Sequence, residues 1–135
     1  MILRQASFLA VAGVLFCAAF FVERLFFPVV EQFVITSVDR YGPNVIISGT
    51  LRKARPCVLI QDVQAYTSEG QRLDIEFLDR EAGATSRPAI QGADQPFGPW
   101  VVKGGAGESV SLYALHRCHV FWTHETKLVT VKDAR

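Results

Sequence analysis

The sequence predicts an all-β sandwich of the immunoglobulin or fibronectin type, with six to eight antiparallel strands, preceded by one N-terminal transmembrane helix. Two observations lead to this fold class. An uncharged apolar run lies near the N-terminus, and short runs of alternating apolar residues follow it, separated by turn residues. The length of 135 residues suits one ordinary domain and a short extra segment.

Residues 5–22 are 18 consecutive positions without a charged side chain. A helix of that length rises about 27 Å, close to the thickness of a bilayer's hydrocarbon core. Arg4 precedes the run, whereas Glu23 and Arg24 cancel each other after it, so the positive-inside rule places the N-terminus in the cytoplasm. A cleaved signal peptide and a buried helix of a soluble fold are alternatives, but no small-x-small cleavage site follows the run. Residues 1–30 are therefore predicted to be an uncleaved anchor with its interfacial segment.

Residues 31–135 are predicted to fold as one extracytoplasmic β domain. Their apolar runs are short, and 73–77 alternates apolar with acidic residues as a half-buried strand does. The predicted strands are 33–38, 45–51, 57–66, 73–77, 100–102 and 110–123, with 127–131 as a candidate last strand. So many short strands in about 100 residues are typical of an antiparallel sandwich.

Residues 79–99 interrupt this pattern with three prolines and three glycines. A loop of about 20 residues is uncommon in a small domain and is often a binding loop, although a tolerated insertion has the same composition. Trp100, which follows it, either fills the core with Trp122 or marks an interface. The candidate binding residues lie in the basic stretch before the third strand and in or beside this loop: Arg52, Lys53, Arg55, Arg87, Phe97 and Trp100.

The charge balance and the motifs exclude several function classes. Without Arg4, Arg24 and Glu23, the chain has 12 basic and 12 acidic residues, so nothing steers it toward nucleic acid. The sequence contains no Gly-x-Ser-x-Gly turn, and the glycines of 103–107 lack the Gly-Lys-Ser/Thr ending of a phosphate-binding loop. We therefore predict no enzyme and no cofactor.

Cys57 and Cys118 are the two cysteines outside the anchor. An even count in an exported domain predicts a disulfide. In the predicted sandwich it would join the third strand to the penultimate one, as a bridge between the two sheets. Cys17 lies inside the anchor and is predicted to be a small apolar filler.

All three histidines lie close to Cys118: they are His116, His119 and His124. A metal or redox module using His116, Cys118 and His119 is therefore an alternative function. On a strand, however, His116 and Cys118 would share one face and His119 would point to the other, and two ligands do not complete a tetrahedral site. The simpler interpretation is that these are surface histidines on a strand, with no metal.

Four segments occur in a fixed order, and they are Ser48–Cys57, Ser86–Pro88, Phe97–Trp100 and His116–Thr123. In this order they are similar to small single-span membrane proteins of tailed bacteriophages and prophages, which carry a short β domain. The similarity covers most of residues 31–128, and its most specific part is the last segment. It implies a bacterial inner-membrane setting with the domain in the periplasm, carries no activity with it, and supports Cys57 and Cys118 as a structural bridge.

Taken together, these features predict a non-enzymatic, membrane-anchored binding or structural protein of a bacterial or phage envelope. Its expected partners are the lipid bilayer, through residues 5–22, and a protein of the envelope or virion. Docking would use the 79–99 loop, the basic stretch or a sheet edge. A second alternative is an accessory subunit whose phenylalanine-rich helix packs against other membrane helices.

Overall fold

The computed structural model describes residues 2–80 and 91–132 and confirms the predicted fold class, an N-terminal apolar helix followed by a two-sheet antiparallel β sandwich. The helix α1 is Ile2–Phe26. The strands are β1 Val30–Tyr41, β2 Asn44–Lys53, β3 Val58–Thr67, β4 Arg72–Leu73, β5 Ile75–Phe77, β6 Asp94–Val102, β7 Val110–Arg117 and β8 His124–Val131.

Helix α1 stands clear of the sandwich for most of its length. The most apolar 18-residue window of its stretch Arg4–Phe26 has a mean hydropathy of 2.1 and is not buried against protein. By length and composition it can cross a membrane. The helix ends two residues before Pro28, because the residue that precedes a proline avoids the helical conformation.

The strands form two four-stranded sheets, with the orders β1-β2-β6-β5 and β4-β3-β7-β8. Every ladder within them is antiparallel. Alternate residues of β2 and β7 point inward, as the period of two in these runs predicts. The large side chains buried in the core between the sheets include Ile47, Val102, Val110 and Leu112.

The prediction of one long loop over 79–99 is wrong for its last part, because β6 begins at Asp94. The prolines and glycine of this strand were interpreted as turn signals. Pro96 and Pro99 lie before the three residues of β6 that pair with β5. Gly98 has φ +88°, and a Cβ there would lie 2.5 Å from the carbonyl oxygen of Ile47, so glycine is needed where β6 passes β2.

Two other predicted strands are also divided. The run 73–77 separates at Asp74 into β4, which pairs with β3, and β5, which pairs with β6, so the chain changes sheets at this residue. The run 110–123 ends at Arg117 and is followed by a loop, 118–123, before β8 begins at His124. Alternation of apolar residues does not reveal which sheet a strand joins, so sequence could not predict the first division.

The predicted disulfide is present between Cys57 and Cys118, whose Cα atoms are 4.5 Å apart. Its predicted position between the sheets is wrong, because β3 and β7 are neighbours in the same sheet. Cys57 precedes β3 and Cys118 follows β7, and antiparallel neighbours bring these two ends together. The bridge therefore closes one end of the second sheet.

Candidate functional site

A cavity of about 370 Å³ lies between the two sheets, at the end of the sandwich that carries the disulfide. This volume is within the range of small-molecule sites, roughly 300–1,000 Å³. Both sheets contribute apolar side chains to its walls. Prominent among them are Phe33, Leu51, Leu59, Val63, Phe97 and Trp100.

The cavity exists because the short strands β4 and β5 cover only part of their neighbours. Strand β5 pairs with Trp100–Val102, and β4 pairs with Ala65 and Tyr66. Neither reaches the halves of β6 and β3 that lie toward the disulfide. Arg80 spans part of this side by pairing with Asp62 at 2.6 Å, while its guanidinium lies 3.8 Å from the centre of the Phe77 ring.

Asp79 holds one wall of the cavity in place. Its carboxylate accepts a hydrogen bond from the Gly98 amide at 2.9 Å and another from the Trp100 indole N–H at 3.1 Å. Trp100 is only 5% exposed and packs at an angle on Phe97, with ring centres 4.5 Å apart. The carboxylate therefore orients the indole that lines the cavity.

Lys53 places a positive charge at the cavity without a carboxylate partner among the described residues. The ammonium group donates a hydrogen bond to the carbonyl oxygen of Cys57. Burial lowers the pKa of Lys53, because a partly buried ammonium loses hydration. An anion in the cavity would supply a charge partner that residues 2–80 and 91–132 do not.

His116 is the most buried polar group in the cavity wall, with 4% of its surface exposed. Its Nδ1 atom has no hydrogen-bond partner among the residues that the structure describes. Burial, with smaller contributions from the charges of Lys53 and His124, lowers the pKa of His116 to about 4. The ring is therefore neutral at pH 7, and its Nδ1 atom is shielded from solvent.

The structure brings only some of the predicted binding residues together. Lys53, Phe97 and Trp100 line the cavity, but the two aromatic residues form its inner wall and not an exposed docking surface. Arg52 pairs with Asp94 at 2.8 Å, away from the cavity. Arg87 and residues 81–90 lie outside the described residues.

The prediction of surface histidines is wrong for His116 and His124, which are 4% and 8% exposed. The signal that could have located His116 is the period of two in β7, because Val110, Leu112 and Ala114 on the same face are all buried. Burial of His124 lowers its pKa as well. Only His119 is exposed, and its ring stacks on Trp122 with centres 4.6 Å apart.

The alternative metal set of His116, Cys118 and His119 does not converge as the sequence suggested. Cys118 is bridged to Cys57, so it has no thiolate to offer. Strand β7 ends at Arg117, so Cys118 and His119 are not in the strand. The alternation of faces that a continuous strand would impose on His116, Cys118 and His119 therefore does not apply. Within residues 2–80 and 91–132, no group of three or more His, Cys, Asp or Glu side chains is arranged to hold a metal ion.

A second cluster joins the 118–123 loop to helix α1. The Glu23 carboxylate accepts a hydrogen bond from the Trp122 indole N–H at 2.7 Å and pairs with Arg55 at 2.7 Å. The Trp122 ring meets Phe16 and Phe20 edge-on, with centres 5.0 and 5.7 Å apart. The expectation that Trp122 fills the core is therefore wrong, since it packs on the helix.

Comparisons of the chain with protein-family models, with curated proteins and with solved structures each find no match. The similarity to phage membrane proteins therefore stays a prediction. The function must be argued from the cavity and the helix junction.

Lowering the pH from 7.5 to 4.5 is expected to destabilise the fold through His116. An unfolded histidine has a pKa near 6.5, so below that pH the unfolded chain binds a proton that the folded chain resists until about pH 4. The contribution of His116 to the free energy of unfolding is fully present above pH 6.5. It is lost as the pH falls toward 4, and the loss amounts to about 3 kcal/mol. Urea unfolding of the full chain in micelles would measure the decline.

The matched variants for this experiment are His116→Gln and His119→Gln. Loss of the buried ring should reduce the pH dependence between 6.5 and 4.5, whatever its effect on stability at pH 7.5. Loss of the exposed ring should leave the pH dependence as in the parent chain. Equal slopes in His116→Gln and the parent would contradict the assignment.

Proposed function

We propose that the protein is a non-enzymatic, membrane-anchored binding protein of a bacterial envelope, encoded by a phage or prophage, with its sandwich on the periplasmic side of the inner membrane. The observation that carries the binding role is the inter-sheet cavity, because it combines apolar walls with a lysine that has no acidic partner among the described residues. Such a combination of apolar lining and a few polar groups is characteristic of ligand sites.

Helix α1 supports the anchoring part of the proposal. Its apolar surface faces outward along the stretch Arg4–Phe26, which suits contact with lipid. Arg4 lies before the uncharged run, whereas Glu23 and Arg24 offset each other after it. This asymmetry favours a cytoplasmic N-terminus and a periplasmic sandwich.

The junction of α1 with the 118–123 loop also supports anchoring. Phe16 is seven residues before Glu23, or about 10 Å further along the helix axis, and its ring centre is 6.2 Å from that of Phe121. Val120 and Phe121 are 86% and 71% exposed beside this part of the helix. If α1 spans the bilayer, the tip of the loop enters the lipid with it, and these exposed apolar side chains are buried there.

Brominated phospholipids test this arrangement, because bromine quenches tryptophan fluorescence on contact. The full chain in nanodiscs is measured in two variants, each of which retains one tryptophan: Trp100→Phe reports on Trp122, and Trp122→Phe reports on Trp100. We expect strong quenching of Trp122 and little quenching of Trp100. An unquenched Trp122, or a chain recovered as a shortened soluble domain, would refute anchoring.

The strand order supports an immunoglobulin-like assignment for the sandwich. The order β1-β2-β6-β5 corresponds to A-B-E-D of immunoglobulin domains, and β4-β3-β7-β8 corresponds to C-F-G with one added edge strand. The disulfide departs from that pattern, because it connects two neighbouring strands and not the two sheets. Domains of this architecture serve many binding roles, so the assignment adds no ligand by itself.

Binding in the cavity is tested with a neutral apolar probe, ω-bromodecanol, on the Trp122→Phe chain in phosphatidylcholine nanodiscs. We expect saturable quenching of Trp100, because this residue lines the cavity. The variant Val58→Phe should weaken the binding, since Val58 lines the cavity and is 68% exposed at its rim. Quenching that never saturates, or that Val58→Phe does not alter, would refute the cavity as a binding site.

A further inference from the structure

The polar groups of the cavity are arranged for an anion. Lys53 contributes an ammonium group at the end of β2, and no carboxylate of the described residues pairs with it. The two other charged residues in the wall are already engaged, since Asp79 accepts from Trp100 and Gly98 and Arg80 pairs with Asp62. An anionic group on a ligand would therefore give Lys53 the charge partner that the described residues do not.

His116 adds a second, independent feature. Its ring is 96% buried by accessible surface, lines the cavity and keeps Nδ1 without a partner among the described residues. This nitrogen is closed to water, so the ring contributes a neutral surface to the wall and adds no second charge. Lys53 lines the same cavity as this ring.

The remainder of the wall is apolar and suits the apolar part of a ligand. Phe33, Leu59, Val63 and Phe97 present hydrocarbon surface from both sheets. Val30 and Cys57 also line the cavity, and they place it at the end of the sandwich from which α1 departs. The site therefore lies at the end of the sandwich that faces the lipid in the proposed orientation.

We propose that the cavity binds an amphiphilic monocarboxylate, a molecule with one carboxylate and an apolar chain. The carboxylate pairs with Lys53 Nζ, and the neutral His116 ring forms part of the wall beside it. The chain lies against Phe97 and Leu59. This proposal rests on the proposed binding function and specifies the chemical class of the ligand.

The test compares ω-bromodecanoate with ω-bromodecanol on the full Trp122→Phe chain in phosphatidylcholine nanodiscs, with Trp100 quenching as the readout. We expect the carboxylate to bind at least about tenfold more tightly than the alcohol, as a hydrogen-bonded charge pair implies. Lys53→Met should remove this preference while saturable binding of the alcohol remains. Lys103→Met is the matched control, because Lys103 pairs with Glu76 on the surface and does not line the cavity.

The outcomes distinguish a failure of the carboxylate proposal from a failure of cavity binding. Equal affinity for the two probes, or a preference that survives in Lys53→Met, overturns the carboxylate site but leaves cavity binding intact. Absence of saturable quenching by either probe overturns both. A preference lost equally in Lys53→Met and Lys103→Met would reflect the general charge of the domain and would also overturn the site.

Discussion

Replacement of both Cys57 and Cys118 by alanine is expected to lower the free energy of unfolding by about 4 kcal/mol. The bridge spans a sequence separation of 61 residues, so its loss returns a large conformational freedom to the unfolded chain. It also holds the start of β3 against the end of β7, next to the loop that packs on α1. For a domain of this size, such a loss is a large share of total stability.

Thermal unfolding of the full chain in micelles, followed by tryptophan fluorescence, would measure the effect. Cys17→Ala is the matched control, since it removes a cysteine that is exposed on α1 and leaves the bridge untouched. The control should unfold like the parent chain. If the double variant unfolded at the parent's temperature, the bridge would not be a stabilising element of this fold.

Gly49→Ala is expected to cost about 3 kcal/mol, the upper end of what overpacking a core commonly costs. Gly49 lies in β2 between β1 and β6. A Cβ at this position would collide with the carbonyl oxygen of Val34 and approach within 2.8 Å of the Phe97 ring. Because one of these atoms is backbone, relief requires β1 to move away from β2, which breaks ladder hydrogen bonds.

Gly42→Ala supplies the comparison for Gly49→Ala. Gly42 is in the turn between β1 and β2 with φ +59°, and a Cβ there meets nothing within 4 Å. The expected cost is about 1 kcal/mol, from backbone strain alone. Urea unfolding of both variants would separate the two effects. Equal losses would mean that the close approach of β1 and Phe97 to Gly49 is absent in solution.

Local patterns were sufficient for the elements whose side chains alternate regularly. The positions of β2 and β7 follow from the alternation of apolar residues, and the apolar run before Glu23 predicted α1. The same reasoning failed for β6, where Pro96, Gly98 and Pro99 suggest a turn. These residues fit in β6 because of the strands that pair with it. The local sequence around β6 does not contain that information.

The candidate site was accessible to sequence reasoning only in fragments. Lys53 was identified as part of a basic stretch, and the inward face of His116 follows from its spacing to Leu112 and Ala114. The cavity that joins them was not predictable, because it arises where the short strands β4 and β5 leave parts of β3 and β6 uncovered. Strand lengths at a sheet edge depend on long-range pairing.

The sequence by itself determined that an apolar helix precedes a β domain and that two cysteines are available to form a disulfide, because helix and strand periodicities and cysteine counts are local properties of the chain. The tertiary structure decided the rest: the disulfide closes one sheet, Trp122 packs on α1, and Lys53 shares a cavity with His116. Each of these depends on residues far apart in the chain, and only the pairing of the strands brings them together.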